Sequence, residues 1–462
     1  MRRIIALIAL VVLAVAAATV ADYPGSVNVV WQGWEIDTSV GVLIAALAIL
    51  ALVLWLALSL IAGVFRLPRR FRRNRRERRH RLGELALTRG MIAITAGDLP
   101  AARHQTARAE HLLGPTPLAL MLAGEVARLG GDDEAARARY TALLDEGDAA
   151  FVGLRGLIGQ ALRTGDGEAA LRLAERAYRL RPTAGWAFET LFALQTRAAR
   201  WEEARETLAA AAKRHLLPEA RAGHHRGVIL YELSLIAERE SERRHALSLA
   251  ASAQELVPDI AAPAARHARL LIAEDRRRAA RRVVEAAWRL TPHPDLAAIW
   301  GELGGAVAAL QLVSWYERLA ALNSDSLESA IALAEAALAA QLWGEARRHL
   351  GRAITAQKDG PSRRLCLLMA RLEDSEHPQQ GTSREWFDRA LAAPPDPTYV
   401  CARCGGDNSE WHALCRHCQG FDTLAWRMPV GTAPAAVLAR AGEPGLLLPM
   451  PDGLASAGQS VR

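Results

Sequence analysis

The sequence predicts an all-α protein whose body is a solenoid of repeated helical hairpins. Three observations point there. Landmarks recur every 34 residues: Gly97-Asp98, Gly131-Asp132 and Gly165-Asp166, and the alanines Ala102, Ala136, Ala170 and Ala204, then Ala246 and Ala280. Ala, Leu and Arg dominate while strand formers are sparse and aromatics make up 5%. Prolines Pro182, Pro258 and Pro292 each fall twelve residues after the matching alanine, where a second helix has to stop. A single hairpin cannot bury its apolar face alone, so such units stack.

The N-terminus carries two apolar runs. Ile4 to Ala21 follows Arg2-Arg3, and Val40 to Phe65 is long enough to span a bilayer with some tilt. Taken alone the first run also fits a cleaved signal peptide. We read residues 1–65 as a transmembrane two-helix hairpin. Between the runs, Asp22 to Ser39 has no Lys or Arg and holds Tyr23, Trp31 and Trp34, aromatics suited to a membrane–water interface.

Residues 66–81 hold ten arginines against one Glu. Basic charge stays on the cytoplasmic side. The expected topology is therefore multi-pass, with both termini cytoplasmic and the Trp loop outside; the resemblance described below implies a bacterial inner membrane. The run also offers charge to anionic lipid. The formal net charge of +7 is concentrated there, so the basic balance does not argue for a nucleic-acid surface.

Residues 82–393 are expected to form about eight hairpins. Small residues at Gly90, Gly124 and the alanines let paired helices approach closely, and the Gly-Asp pairs stop the first helix. This 34-residue period resembles the tetratricopeptide repeat. The beat slips between Ala204 and Ala246, and a longer first helix over Arg221 to Arg239 absorbs the difference.

Pro394-Pro395-Asp396-Pro397 ends the array as a stiff connector. Beyond it Cys401, Cys404, Cys415 and Cys418 are spaced C-x2-C-x10-C-x2-C. Each pair sits on a tight turn, and two such turns complete an all-sulfur tetrahedral site for zinc, with rubredoxin-like iron as the alternative. The module, residues 398–427, is expected to be zinc-ribbon or rubredoxin-like. No coordination position remains open for catalysis. Trp411 and Trp426 are expected to pack on it, with His412 and His417 near the ligands but exposed. Residues 428–462, rich in Pro, Gly and Ala, are expected to be disordered.

A search for catalysis finds no positive signal. No Lys precedes Ser or Thr, no His precedes Glu, and G-x-S-x-G, G-x-G-x-x-G and C-x-x-C-H are absent. His224-His225 is read as a pair on an exposed helix face rather than a haem or metal site. Cys366, within the apolar run Leu365 to Met369, is read as a small core residue. The expected role is binding, not an enzyme activity.

The order of parts, with Trp31-Gln32-Gly33-Trp34, the Arg run, Pro394 to Pro397 and Cys401-Ala402-Arg403-Cys404-Gly405, resembles the HemY N-terminal-domain family in its alphaproteobacterial, four-cysteine form. The resemblance implies an inner-membrane tetratricopeptide scaffold linked to late haem (tetrapyrrole) biosynthesis, with haem-pathway enzymes as partners. The flavin-dependent oxidase that shares the HemY label is not implied, because its dinucleotide-binding glycines are missing. A second resemblance is to membrane-anchored tetratricopeptide adaptors that control lipopolysaccharide assembly, which usually carry one membrane helix.

Overall fold

The computed structural model describes residues 26–31, 34–305, 308–357, 360–379 and 381–429. The first apolar run and the C-terminal tail lie outside the described residues. The chain divides into two compact units, Met1–Gly131 and Asp132–Arg462.

The first unit begins with strands β1 (Ser26–Trp31) and β2 (Trp34–Ser39), paired antiparallel with Trp31 opposite Trp34. The segment read as an aromatic loop is thus a β-hairpin, so the all-α expectation fails here. Val27, Val29, Val30, Ile36 and Thr38 favour extended backbone.

Helix α1 (Val40–Thr95) follows without a break and runs 56 residues, roughly 84 Å at the helical rise. Its segment Val40–Leu58 is, among the described residues, the one helix long and apolar enough to cross a membrane. Leu47, Ile49, Leu50, Leu54 and Trp55 there are all exposed, so none of the described residues covers this apolar surface. Further along, Arg75, Arg76, Arg78, Arg79 and Arg81 are exposed too. The first helix of the array, expected to begin at residue 82, is therefore the end of this long helix. With no Gly or turn signal between the Arg run and Leu85 except Gly83, nothing stops it.

Helices α2 (Leu99–Leu113) and α3 (Pro117–Leu129) pack on the end of α1. Gly90 makes this possible: a Cβ there would stand 2.8 Å from Cδ2 of Leu122.

The second unit continues with α4 (Asp133–Ala142), α5 (Ala150–Arg163), α6 (Gly167–Leu180), α7 (Gly185–Arg197), α8 (Trp201–Lys213), α9 (Glu219–Arg239) and α10 (Arg243–Leu256). Then come α11 (Ala261–Ala273), α12 (Arg277–Leu290), α13 (Pro294–Gly304), α14 (Ala309–Ala320), α15 (Leu327–Ala339), α16 (Trp343–Ala356), α17 (Arg363–Glu376) and α18 (Thr382–Ala392). From α5 onward neighbours pack as antiparallel pairs, α5 with α6 through to α17 with α18.

The 34-residue landmarks explain these joints. At Gly97 and Gly165 the backbone is left-handed, with φ of 74° and 77°. The following Asp98 and Asp166 cap the next helix, their carboxylates accepting from the N–H groups of Ala101 and Ala169 at 3.0 and 2.9 Å. One dipeptide closes one helix and opens the next. Later joints keep the left-handed residue without the glycine: Ala199, Ser241, Asp275 and Gln341 have φ of 53° to 65°. The repeat alanines Ala136, Ala170, Ala204, Ala246 and Ala280 are fully buried, where any larger side chain would push the helices apart.

Three strands complete the second unit: β3 (Thr398–Cys401), β4 (Asp407–Asn408) and β5 (Leu424–Arg427), in the order β4-β3-β5 and all antiparallel. The Pro394–Pro397 connector is tied back to α17. Arg363 N–H donates to Pro394 O at 3.1 Å, and Arg364 N–H donates to the Asp396 carboxylate at 2.8 Å.

A four-cysteine centre docked on the first helices

The two C-x2-C segments fold alike. In the first, Gly405 N–H donates to Cys401 O, Cys401 N–H donates to Gly406 O, both at 2.9 Å, and Gly405 has φ of 73°. In the second, Gln419 N–H donates to Cys415 O at 2.9 Å, Cys415 N–H donates to Gly420 O at 3.0 Å, and Gln419 has φ of 54°. Each pair of thiols is thereby turned to one side. Gly406 and Gly420 leave room, since a Cβ on either would lie 3.3 Å from the Sγ of Cys404 or Cys418.

The four Sγ atoms of Cys401, Cys404, Cys415 and Cys418 lie within 4.8 Å of one another. Cys401 to Cys418 is 3.7 Å and Cys404 to Cys415 is 3.8 Å. These are not disulfide distances. They match the edge of a tetrahedron around an ion with metal–sulfur bonds of about 2.3 Å, an edge of about 3.8 Å. The donor set therefore fits a thiophilic ion.

Burial raises the thiols of Cys404 and Cys418, the latter to about 12. Cys401 is also buried, but Thr423 and the N–H groups of Cys404 and Arg403 outweigh that and bring it down to about 6. A bound cation would replace the remaining protons. Arg197, at the end of α7, and Arg403 stand within electrostatic reach of the cluster. They offset the negative charge that four thiolates around a divalent ion carry.

The module does not hang free. It packs on α7, α8 and α9, and its Tyr399, Trp411, Ala413, Cys401, Cys415 and Leu424 share one core with Phe188, Phe192, Trp201, Val228 and Ile229. Phe421 sets its ring edge-on to Phe192 at 5.2 Å and lies 5.3 Å from His225. Trp411 packs edge-on to Tyr231 at 4.8 Å. The half-buried carboxylate of Glu232, raised by partial desolvation, accepts from Ala413 N–H at 3.1 Å.

Asp422 meets two imidazoles, His224 Nε2 at 3.2 Å and His225 Nδ1 at 3.0 Å. Although burial opposes ionisation, those two bonds hold its carboxyl well below the usual carboxylate range. The Asp422 bond raises His224, burial notwithstanding. Farther along, Trp426 packs on His293 with ring centroids 4.2 Å apart.

The predicted residues sort clearly. The four cysteines come together, Trp411 and Trp426 pack on the module, and Cys366 is buried in α17. His417 bonds the Asp407 carbonyl at 2.9 Å and His412 pairs with Arg416 at 2.6 Å. His224-His225 is a correction. The pair holds Asp422 rather than facing solvent, because the long α9 places it under the module. Sequence reading missed Asp422, Phe421, Glu232, Tyr231 and His293. One signal marked the place: the break in the 34-residue beat falls at α9, whose extra turns carry the histidines.

Residues 25–131 match the family described as HemY protein N-terminus. The match ends on the last residue of the first unit. A curated relative, the probable magnetosome protein Mms48 of Magnetospirillum gryphiswaldense, is 28% identical over 443 residues, covering 93% of this chain and 94% of its own.

Among solved structures, a chain of Naa15/Naa10 bound to HypK-THB aligns with TM-score 0.39 and 14% identity, over 68% of this chain and 58% of that one. YrrB, a tetratricopeptide protein with an unusual peptide-binding site, aligns with TM-score 0.28 and 17% identity over 38% of this chain and 88% of its own. MamA gives TM-score 0.26 and 17% identity over 38% and 91%. These are local likenesses, and the fold stands on the hairpins of the chain itself.

Proposed function

We propose that this protein is a membrane-anchored scaffold that binds partner proteins on its hairpin array and has no catalytic centre of its own. One observation carries the reading. The exposed apolar segment Val40–Leu58 and the first hairpin share a single uninterrupted helix, so the span and the array are joined through the Arg-rich stretch without a loop. The exposed arginines beyond the span favour a cytoplasmic array by the positive-inside rule. With Ile4 to Ala21 as a second span, both termini are cytoplasmic. Anchoring raises the effective concentration of partners at the surface.

Cys401, Cys404, Cys415 and Cys418 hold a structural zinc ion, with iron as the alternative. The ion welds two short turns that have little core of their own. The array comprises residues 82–393 and the module residues 398–427, joined by the proline connector.

The match to the HemY N-terminus supports partners among the enzymes of late haem biosynthesis. The Mms48 relative, named as a probable magnetosome protein, leaves a partner outside the haem pathway as a second reading. Affinity purification from membranes with crosslinking and mass spectrometry tests this. Recovery of haem-pathway enzymes is expected. Recovery of lipopolysaccharide enzymes or a membrane protease would instead favour an envelope-assembly adaptor, and recovery of no protein would contradict the scaffold.

A further inference from the structure

The module's contact with α7, α8 and α9 is built like a ligand in a site. Phe421 sits among Phe192, Trp201 and His225, with ring centroids at 5.2, 6.3 and 5.3 Å. The next residue, Asp422, places its carboxylate on His224 and His225. Arg221 Nε is 3.4 Å from His225 Nε2, which leaves the Nδ1 proton of His225 for the carboxylate. Asp259 lies 4.0 Å from the other nitrogen of His224. An apolar slot and a pair of imidazole donors thus stand side by side, at the spacing of two consecutive residues.

These groups belong to the first helices of two successive hairpins, α7 and α9, and to the start of α8. That is the face on which stacked helical repeats present binding surfaces. The occupant is not relaxed. Asp422 has φ of 54°, a left-handed backbone that an aspartate adopts at a cost, held by its N–H donating to Ala413 O at 2.7 Å. It is also delivered by a module whose two turns converge on the four clustered cysteines.

We propose that this pocket recognises an aromatic residue followed directly by a carboxylate, that Phe421-Asp422 is its resident occupant, and that a partner peptide of the same chemistry displaces it when the module is released. The inference rests on the scaffold reading and names the partner chemistry for one of its surfaces. While the module is intact, its tether gives the resident dipeptide a high effective concentration, so free peptide competes poorly. Loss of the metal releases the module, and loss of the two side chains empties the pocket they fill while the rest of the module stays docked.

The test uses the full chain in detergent and two labelled peptides, Gly-Phe-Asp-Thr-Leu and Gly-Ala-Ala-Thr-Leu, followed by fluorescence anisotropy. The wild-type, metal-loaded chain is expected to bind neither. The Phe421→Ala/Asp422→Ala chain, which keeps all four cysteines, is expected to bind the Phe-Asp peptide at least tenfold tighter than the control peptide. Adding His224→Ala/His225→Ala is expected to erase that preference. Wild-type chain stripped by a chelator should show the same preference, which covers the case of a double variant that folds poorly.

Equal binding of both peptides by the opened chain, or equal binding of the Phe-Asp peptide by wild type and opened chain, would overturn the proposal. Metal content of the same samples separates the two readings. A metal-free wild type would remove the zinc from the proposed function, while the peptide preference would still stand or fall by itself.

Discussion

Nε2 of His293 lies 3.0 Å from the hydroxyl oxygen of Tyr399, joining the start of α13 to the first strand of the cysteine module. The Nδ1 atom of the same ring accepts from Asp295 N–H at 3.2 Å. The neutral ring must therefore carry its proton on Nε2 and donate to Tyr399. Burial, more than the opposing Asp295 carboxylate, holds His293 down to about 4, and Arg364 pushes the same way.

This predicts an acid limb for docking. The ring is neutral when folded and protonates near pH 6.5 when released, so stability is full above about pH 6.5 and falls as pH drops towards 4, by about 3 kcal/mol. His224 works oppositely. Its raised value makes its contribution full below about pH 6.5 and lost as pH rises through that higher value. Limited proteolysis of the 394–397 connector across pH 4 to 9 should give maximum protection near pH 6 to 7. The His293→Phe variant should lose the acid limb only.

Replacing Cys401 and Cys404 by Ser should abolish metal binding and unfold the module, while circular dichroism shows the hairpins still helical. Half of the tetrahedron is gone, and two thiols cannot hold the turns. Stoichiometric metal in the double variant would contradict the ligand assignment.

Both cysteine turns should favour glycine at their equivalent left-handed position. Gly405→Ala adds a Cβ at φ of 73° and should weaken the module by about 1–2 kcal/mol. Gln419→Gly relieves the equivalent residue at 54° and should strengthen it by up to about 1 kcal/mol. Resistance to chelator reads both.

The hairpin joints give a similar contrast. Asp166→Ala removes the 2.9 Å cap on α6 and should cost about 1 kcal/mol. Ala199→Gly and Gln341→Gly place glycine where the backbone is already left-handed, and each should raise thermal stability by about 1 kcal/mol or less. Calorimetry of each variant measures this.

The hairpins were legible because their signals are local. Gly97-Asp98 and Gly165-Asp166 encode a stop and a start within two residues, and the repeat alanines mark contacts at fixed spacing. The cysteines were legible for the same reason, each pair needing only one turn. What could not be read was long-range. Asp422 is nearly two hundred residues from His224, and neither has a distinctive neighbour. A histidine pair on a helix has no sequence mark for what covers it. The strands at 26–39 were masked by short length and by aromatics that also suit a membrane interface.

Hydrogen exchange of α9 and of the start of α13 in the full chain, measured with the metal bound and after chelation, tests the central claim most directly. The account predicts that residues 224–232 and 293–295 are protected in the loaded chain and lose that protection together when the metal is removed. Exchange in these segments that stays the same in both states would contradict a metal-organised module docked on the first helices.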